Sequence, residues 1–553
     1  MKTVLSKPNY SAQIGKNAFD LSHFFRFSAS TGQLLPVFHD ELYPNDRIRI
    51  NPDMVESLTI IKMNSGSFAR AKGHLEFFFV PFRQLFTPFN SFIYGVDDLH
   101  SSVYKTDNLN AYEGALPYFS AADLQDILNA YSGMTGDGST DEYGEKRINN
   151  MWRLLTYLGY GRPDLGTTPS WSPDQHLNPF RLAAYQKIFY DYYRNTDWTE
   201  NDVSAYNLDQ FFRGDNDGNH IRPNVFLRLF DMHYRPWAKD YFNNIFPEPL
   251  FGEMSLNALS EGFDLTEVNQ WLRNNISMGI EDPDDASLQP YTQVHVKSAM
   301  QSPVDVNTSF AVQKLLEKTR RAPKHYDKQT LAHFGIEPKD DNRVFYLGEH
   351  TWNIDVKDVV ATAQTEVQDE VTGIGAIGGR GYGLGQSNRP IVDFTAPEHG
   401  ILMCIFSIEP FSDYGVSGLE KQNTYATRYD YFIPDLDNLG MVPFFRNQVK
   451  YIPQSVVAGS EILGWTYAFS ESKVKYDRVA GNLLHSAQSW IPRRDDVAVQ
   501  DTNSRKFYIS PSYFDPLFAI NYLQSDRPER TFATDPFECQ LRMYAQDGKT
   551  VNN

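Results

Sequence analysis

Apolar and polar residues alternate with a period of two near both ends of the chain. The pattern covers residues 74–79 and 537–543, with shorter stretches at 47–50 and 463–469. Residues 401–408 form a nearly continuous apolar run. Alternation rich in aromatic residues is typical of half-buried strands, and a short apolar run bounded by turn residues is typical of a buried one. These segments therefore predict strands at both ends of the chain.

The middle of the chain follows a helical pattern instead. Asn178-Pro179 combines an N-cap residue with a proline at the first helical position. Apolar residues then follow at helical spacing: Leu182, Tyr185, Phe189, Tyr192 and Tyr193. This stripe predicts a helix that packs against other parts of the protein rather than a cofactor site. Further helices are predicted to begin at Ser120 and to run over residues 308–319.

Strands at both ends with helices between them predict a mainly β protein. The simplest arrangement is one antiparallel sandwich closed by N- and C-terminal strands, whose loops carry very large insertions. Such insertions cost little, because the entropy of closing a loop grows only logarithmically with its length.

The composition and net charge of the chain exclude several classes of protein. The chain has 553 residues, 41% of them hydrophobic, and a formal charge of −18. It can therefore fill a core, and its net charge excludes a globally basic nucleic-acid binder. No apolar run approaches the roughly 20 residues of a membrane-spanning helix, and the first residues do not resemble a secretory signal. Cys404 and Cys539 are expected to be buried hydrophobes.

The segment Gly373–Gly378 matches the dinucleotide-binding fingerprint letter for letter. That chemistry needs a buried strand before the glycines and a helix after them. Polar residues precede the segment and more glycines follow it, up to Gly385. We therefore predict a flexible glycine-rich loop rather than a cofactor site.

The segment Asp215–Gly218 resembles part of a calcium-binding loop. In the EF-hand register the first and last positions would be Arg213 and Asn224, where carboxylates are required. An EF-hand is excluded, and a looser structural calcium site is left open. No other cofactor is expected, and a scan for hydrolase, metalloprotease and nucleotide-binding motifs gives no catalytic signature.

One short segment concentrates positive charge. Its six basic residues are Lys314, Lys318, Arg320, Arg321, Lys324 and Lys328. Such a cluster can contact nucleic-acid phosphates. The alternative is a solvated helix end whose cations interact with the helix dipole.

Four ordered groups of motifs resemble the major capsid proteins of the Microviridae, small single-stranded DNA phages, and especially gokushovirus-like ones. The motifs are residues 177–194, residues 310–318 with Tyr326, 333–336 and 346–348, residues 398–400 with 427–431 and 439–440, and residues 464–467 with 476–481. The first is similar to the family's "PFRAY…IYNDWFR" segment, with Ala183-Ala184 lengthening it. Residues 98–175 and much of 200–290 have no counterpart in these motifs.

The resemblance implies a fold and a function. The fold is a single eight-stranded antiparallel jelly roll with long helical and loop insertions. Residues 1–97 would hold an N-terminal arm and the first strands, 98–395 the insertions with interspersed strands, and 396–553 the C-terminal strands. The function is that of a non-enzymatic capsid protein that assembles in the host bacterial cytoplasm into a T=1 icosahedral shell around a circular single-stranded DNA genome.

The resemblance also implies partners. These are further copies of the chain, a small basic DNA-packing protein, the single-stranded DNA genome, pilot- or spike-type minor virion proteins, and a host-surface glycan or receptor bound by inserted loops. The six cations from Lys314 to Lys328 are the candidate DNA-facing residues. The alternative function is a carbohydrate-binding or carbohydrate-cleaving β-sandwich, since 14% of the residues are aromatic and aromatic platforms suit sugars.

Overall fold

A computed structural model gives the fold. It describes residues 15–58, 66–94, 116–124, 126–127, 147–161, 175–211, 227–249, 303–322, 326–336, 342–360, 377–386, 390–434, 437, 440–451, 462–494, 504–517 and 535–551. The calcium-loop candidate Asp215–Gly218, Lys324 and residues 373–376 lie outside the described residues.

Sixteen strands and eight α-helices have defined bounds in the described chain, and residues 121–124, which follow the helix start predicted at Ser120, are helical as well. The strands are β1 Gly15–Asp20, β2 His23–Ala29, β3 Leu35–Leu42, β4 Arg47–Leu58, β5 Arg70–Pro81, β6 Phe119–Ser120, β7 His176–Leu177, β8 Phe345–Val360, β9 Ile377–Gln386, β10 Val392–Thr395, β11 Gly400–Pro410, β12 Asp413–Gly415, β13 Met441–Phe445, β14 Ile462–Tyr467, β15 Asp477–Val479 and β16 Phe537–Val551. The helices are α1 Phe82–Leu85, α2 Phe89–Tyr94, α3 Arg147–Tyr157, α4 Phe180–Ile188, α5 Pro303–Arg321, α6 Tyr326–Phe334, α7 Arg446–Val449 and α8 Ser470–Lys473, with a π-helical turn at Phe189–Tyr193 after α4. Single 3₁₀ turns lie at Val203–Ala205, Leu208–Phe211, Leu227–Phe230, Lys421–Thr424, Gly481–Leu484, Gln488–Trp490, Ser504–Phe507 and Asp515–Leu517.

Ten strands form one antiparallel sheet, which confirms the prediction of a mainly β protein. The order is β1-β16-β4-β9-β8-β5-β11-β3, with β2 also beside β16 and β10 beside β4. The N-terminal strands therefore pair with the last strand, as the two ends of the sequence predict. Strands β8 to β10, which belong to the long middle of the chain, are members of this same sheet.

The part of the sheet formed by β11 and β5 is covered on both faces. All residues of β11 except Glu409 are buried, and so are the last nine residues of β5. Helix α4 contacts both strands. A strand whose residues are buried on both faces needs a covering layer on each face of the sheet, and α4 supplies one of these two layers.

Helix α4 begins where the sequence predicts. Asn178 caps it, because its side-chain oxygen accepts a hydrogen bond from the amide of Phe180 at 2.8 Å. All of its residues except Arg181 are buried. The expected packing stripe is therefore confirmed, but the helix is buried nearly all round because its outer side is covered too. There the amide nitrogen of Gln186 donates to the carbonyl of Leu229 at 3.0 Å.

The other part of the sheet, β2, β16 and β4, is covered on one face only. Burial alternates along β16: Cys539, Leu541 and Met543 are buried, whereas Glu538 and Arg542 are exposed. This is the predicted period-two pattern. Both cysteines are free and buried, as expected, and burial raises the pKa of each thiol.

The prediction of a flexible loop at the glycine-rich segment is wrong. Residues Ile377–Gln386 form β9, which pairs with β4 on one edge and β8 on the other. Glycine occupies every second position from 379 to 385, and Gly383 lies opposite the buried residues Glu56 and Ile354. Gly383 thus occupies a register position between two buried residues, where a glycine in a strand permits close approach of its neighbours.

Buried ion pairs connect the helical insertions to the sheet. The Arg153 guanidinium of α3 donates to Asp535 at 2.6 Å, and Ser28 and Ser30 donate to the same carboxylate at 2.7 and 3.0 Å. Arg153 also donates to the side-chain oxygen of Gln33. These contacts fix α3 against both ends of the chain.

A second network lies under α4. Glu76 of β5 accepts hydrogen bonds from the Tyr193 hydroxyl and from Arg235, both at 2.5 Å. Arg235 also lies 3.5 Å from Glu409 of β11, whose carboxylate is 2.9 Å from His74. Burial by itself raises the pKa of Glu409, but His74 and Arg235 hold that pKa below its ordinary value. Arg235 lies between two carboxylates and thus joins β5 and β11 to its own segment of the chain.

A smaller apolar cluster supports the C-terminal segments. Its members are Tyr241, Phe242, Ile245, Tyr414, Phe444, Val449, Leu463 and Phe507. Arg494 is buried beside it, where its guanidinium donates to Asn243 and lies 4.4 Å from the Trp237 ring centre. Strands β13 and β14 pair here, which confirms the predicted strand near residue 463.

Glu56 is a carboxyl group on the buried face of β4. It is 1% exposed, and its Oε2 accepts a hydrogen bond from the indole of Trp352 at 2.9 Å. Its Oε1 has no hydrogen-bond partner among the described residues. The indole lies over Gly73, where a Cβ atom would be 2.3 Å from the ring. Burial raises the pKa of Glu56 from 4.5 to about 8, so this side chain is protonated at neutral pH.

We predict that Glu56 makes the fold sensitive to alkaline pH. The folded chain holds this proton more tightly than the unfolded chain. The contribution of Glu56 to the free energy of unfolding is therefore complete below about pH 4.5 and is lost as the pH rises through about 8. Glu56→Gln, which mimics the protonated form, should be more stable than the unsubstituted protein by a few kcal/mol at pH 9. Urea unfolding at several pH values measures the difference, and equal stabilities at pH 9 would contradict it.

Candidate functional site

The predicted DNA-facing segment forms a helical hairpin of α5 and α6. The two helices are joined by a contact of 3.0 Å between Thr319 Oγ1 and His333 Nε2. The side-chain amide of Gln329 donates to the carbonyls of Thr319 and Ala322 at 2.9 and 3.1 Å. Gln329 therefore satisfies carbonyls that the C-terminus of α5 would otherwise leave unpaired.

Three of the six candidate cations lie on one exposed face of α5. Lys314, Lys318 and Arg321 are exposed and are spaced by four and three residues, which places them on the same side of the helix. Lys328 on α6 is partly exposed. We call Lys314, Lys318 and Arg321 the basic stripe.

Arg320 lies on the opposite face and is only 3% exposed. Its guanidinium is 3.1 Å from Asp197, donates to the carbonyl of Glu248 at 2.9 Å and lies 4.3 Å from the ring centre of Phe246. Burial lowers the pKa of Arg320, yet an arginine remains charged at neutral pH. Arg320 therefore holds the hairpin against Asp197 and the segment Phe246–Glu248, which distinguishes it from the basic stripe.

The free end of the hairpin is apolar. Phe334 and Ile336 are 78% and 68% exposed. Gly335 between them has a φ of +73°, a conformation that ends the helix and that glycine favours. The motif His333–Ile336 therefore presents two large apolar side chains to solvent, which the sequence alone did not indicate.

A second apolar surface surrounds the loop at residues 425–434. Tyr429 and Tyr431 are 57% and 60% exposed. Asp430 orders the loop, because its carboxylate accepts from the amides of Thr427 and Ala426 at 2.6 and 2.9 Å. These hydrogen bonds hold the pKa of Asp430 below its ordinary value.

Glu471 anchors this loop to α8. Its carboxylate accepts from the Tyr425 hydroxyl at 2.7 Å and lies 3.5 Å from the Lys421 amine. Burial and this acceptor raise the pKa of Tyr425 to about 12. The rings of Tyr425 and Tyr431 are 5.0 Å apart, centre to centre.

Exposed apolar residues from three neighbouring segments meet around Glu471. Leu419 and Val474 line a cleft beside it, and Phe432 contacts Phe469 at 5.6 Å between ring centres. We call Leu419, Tyr429, Tyr431, Phe432 and Val474 the aromatic patch. Contiguous exposed apolar surface of this kind is uncommon on monomeric proteins and marks contact sites.

The described ranges contain no cluster of three or more side chains that could hold a metal ion. None of the helices in the described part of the chain is long and apolar enough to cross a membrane.

Comparison with known proteins identifies the group to which the chain is similar. Residues 9–134 and 163–491 match the family model described as capsid protein (F protein). The capsid protein VP1 of Chlamydia phage 1 is 22% identical over 559 aligned positions, which cover 87% of each protein. All members of the basic stripe and of the aromatic patch lie within the matched range 163–491.

We predict that Arg320 and Arg321 contribute very differently to stability. Arg320→Ala leaves Asp197 without its partner in a largely buried site, and should lower the free energy of unfolding by about 3 kcal/mol. The adjacent exposed Arg321→Ala is the matched control, with an expected change below about 0.5 kcal/mol. Urea unfolding followed by circular dichroism measures both. Equal effects would contradict the assignment of Arg320 to the interior.

Proposed function

The chain belongs to the phage capsid protein (F protein) family, and on that basis we propose that it assembles into a T=1 icosahedral shell around a circular single-stranded DNA genome. The family is structural, and its members are components of the virion. Membership rests on a match over most of the chain, and the similarity to the capsid protein of Chlamydia phage 1 agrees with it.

The proposal includes a jelly-roll framework. The eight strands β2, β3, β4, β5, β8, β9, β11 and β16, lettered B to I in chain order, pair in the orders B-I-D-G and C-H-E-F. These are the strand orders of the two sheets of a jelly roll. The pairing of β8 with β9 joins the two halves. A rigid wedge of this kind suits a closed shell, whose contacts must repeat with fixed rotations.

Two exposed apolar surfaces support contact between copies of the chain. The aromatic patch presents Tyr429, Tyr431 and Phe432, and the hairpin end presents Phe334 and Ile336. Aromatic side chains contribute strongly to protein interfaces, because they bury a large area at a small cost in conformational entropy. In the proposed shell these surfaces become buried against neighbouring copies.

The basic stripe is the proposed contact with the genome. Lys314, Lys318 and Arg321 can approach phosphates from one exposed helix face. The charge of −18 works against DNA binding by the rest of the chain. The proposal therefore includes a small basic DNA-packing protein that supplies the remaining positive charge.

The remaining partners belong to the same proposal. Pilot- or spike-type minor proteins complete the virion, which assembles in the cytoplasm of the bacterial host. Residues 98–175 have no counterpart in the four motif groups, and the family model leaves 135–162 of them unmatched; this segment is the proposed site of attachment to a host glycan or receptor. A structural calcium ion at Asp215–Gly218 is proposed on the residue types alone.

We predict that the aromatic patch is needed for assembly. Tyr431→Ser with Phe432→Ser removes two half-exposed rings, so the variant should remain folded but form few particles. Sedimentation velocity of the full-length protein measures the ratio of particles to small species, with an expected decrease of at least tenfold.

Val203→Ser is the control, because Val203 is exposed and apolar but lies outside both surfaces. It should assemble normally. Normal assembly of the double variant would exclude the aromatic patch as a contact between copies.

We predict that the basic stripe affects packaging rather than assembly. Lys318→Glu with Arg321→Glu should lower the DNA content of purified particles, because the reversed charges repel phosphates. The ratio of absorbance at 260 and 280 nm, with quantitative amplification of the genome, measures it. Particles with the normal DNA content would remove the stripe from the proposed contact.

A further inference from the structure

The uncovered face of β2 and β16 carries a row of alternating cationic and aromatic side chains. The Arg542 guanidinium lies 4.2 Å from the ring centre of Tyr544 and 5.1 Å from that of Phe24. Arg26 lies 5.6 Å from the Phe24 ring centre on the same strand. We call these four residues the Arg542 row.

Strand pairing fixes this row. Phe24 is directly opposite Arg542, and Arg26 is directly opposite Gln540. The Arg26 guanidinium also donates to the side-chain oxygen of Gln540 at 2.9 Å. The row therefore stands on regular β-structure, which positions side chains more precisely than a loop does.

The Arg542 row remains accessible. Phe24 is 50% exposed, and Arg26 and Arg542 are exposed while Tyr544 is partly exposed. Among the residues that the structure describes, neither arginine of the row forms an ion pair with a carboxylate. By contrast, Arg47 and Arg49 on β4 both pair with Asp393, at 2.8 and 3.2 Å.

Acidic residues share the face but do not neutralise the row. Asp53 of β4 is opposite Arg542 in the strand register, and Glu538 lies further along β16. Neither is within ion-pair distance of Arg26 or Arg542 in the described structure. The positive charges of the row are thus available to a ligand.

The geometry indicates the chemistry of that ligand. A guanidinium stacked on a ring uses its flat face, so its N–H groups in the plane can still donate to a phosphate in a bidentate manner. Exposed rings beside such cations suit the stacking of unpaired bases. An acidic peptide would use the cations but not the rings, whereas single-stranded nucleic acid uses both.

We propose that the Arg542 row is a contact site for single-stranded nucleic acid, with arginines on phosphates and the half-exposed Phe24 ring against a base. The identity of this nucleic acid as the packaged genome rests on the proposed function. The site is separate from the basic stripe, because it lies on the sheet and not on the α5–α6 hairpin.

The test uses the full-length protein and a fluorescent oligothymidylate of about 30 nucleotides, which forms no duplex and covers a typical single-strand site. Anisotropy titrations at several salt concentrations give the affinity and its salt dependence. Arg26→Gln with Arg542→Gln should weaken binding about tenfold and reduce the slope of log K against log salt by about 1.4, since each lost phosphate contact contributes about 0.7.

Two further variants make the test specific. Arg428→Gln is the matched control, because Arg428 also lies over an exposed ring, that of Tyr429 at 4.6 Å, but on the aromatic patch; it should bind normally. Phe24→Leu removes the ring without removing charge, so it should weaken binding while leaving the salt slope unchanged. Circular dichroism establishes that each variant is folded.

Several outcomes would overturn the proposal. Unchanged affinity and salt slope in the double arginine variant would contradict it, and so would an equal loss of oligothymidylate affinity in Arg428→Gln. In a parallel titration with polyglutamate, a loss of binding in the double arginine variant without any effect on the oligothymidylate would assign the row to an acidic protein instead. Loss of particles with unchanged oligothymidylate binding would assign it to a contact between copies. Failure of the unsubstituted protein to form particles would count against the proposed function alone, because the titration needs no particles.

Discussion

The pairing of β5 with β11 brings together two strands that are buried on both faces, so other parts of the fold must cover each side of this pair. The opposite part of the sheet covers one side of the pair, and α4 covers the other. Because α4 belongs to the long segment between β5 and β8, that insertion is part of the core and not an appendage. The opposite part of the sheet, β2-β16-β4, needs only one cover, and its outer face remains available for contacts.

Positive charge is divided between the interior and a few exposed surfaces. Arg153, Arg320 and Arg494 are buried and hold separate segments together. The basic stripe and the Arg542 row keep their cations at the surface of a chain with a charge of −18. In the described part of the chain, local attraction for phosphate is therefore expected where the fold places exposed cations together. Exposed aromatic side chains are grouped elsewhere, at residues 429–432, so the proposed contacts with other copies and with nucleic acid use different faces.

The sequence predicted the strands and the capped helix because short-range patterns determine them. Alternation marked β16, and Asn178 marked the start of α4. The prediction failed for β9, because glycine has no apolar side chain to mark a strand even though it recurs at every second position and the strand is paired on both edges. The family motifs indicated a capsid protein, which the comparisons confirm. The candidate cations could not be sorted from spacing alone, because the burial of Arg320 depends on Asp197, more than a hundred residues away. The Arg542 row likewise requires strands from both ends of the chain.

Assembly with further copies of the same chain is the proposed purpose of this fold. Electron microscopy of the purified, expressed protein shows particle size and symmetry without any assumption about the contacts. We expect small isometric particles of uniform diameter whose averaged images have icosahedral symmetry. A folded protein that stays monomeric under all conditions in which the virion is stable would contradict this proposal.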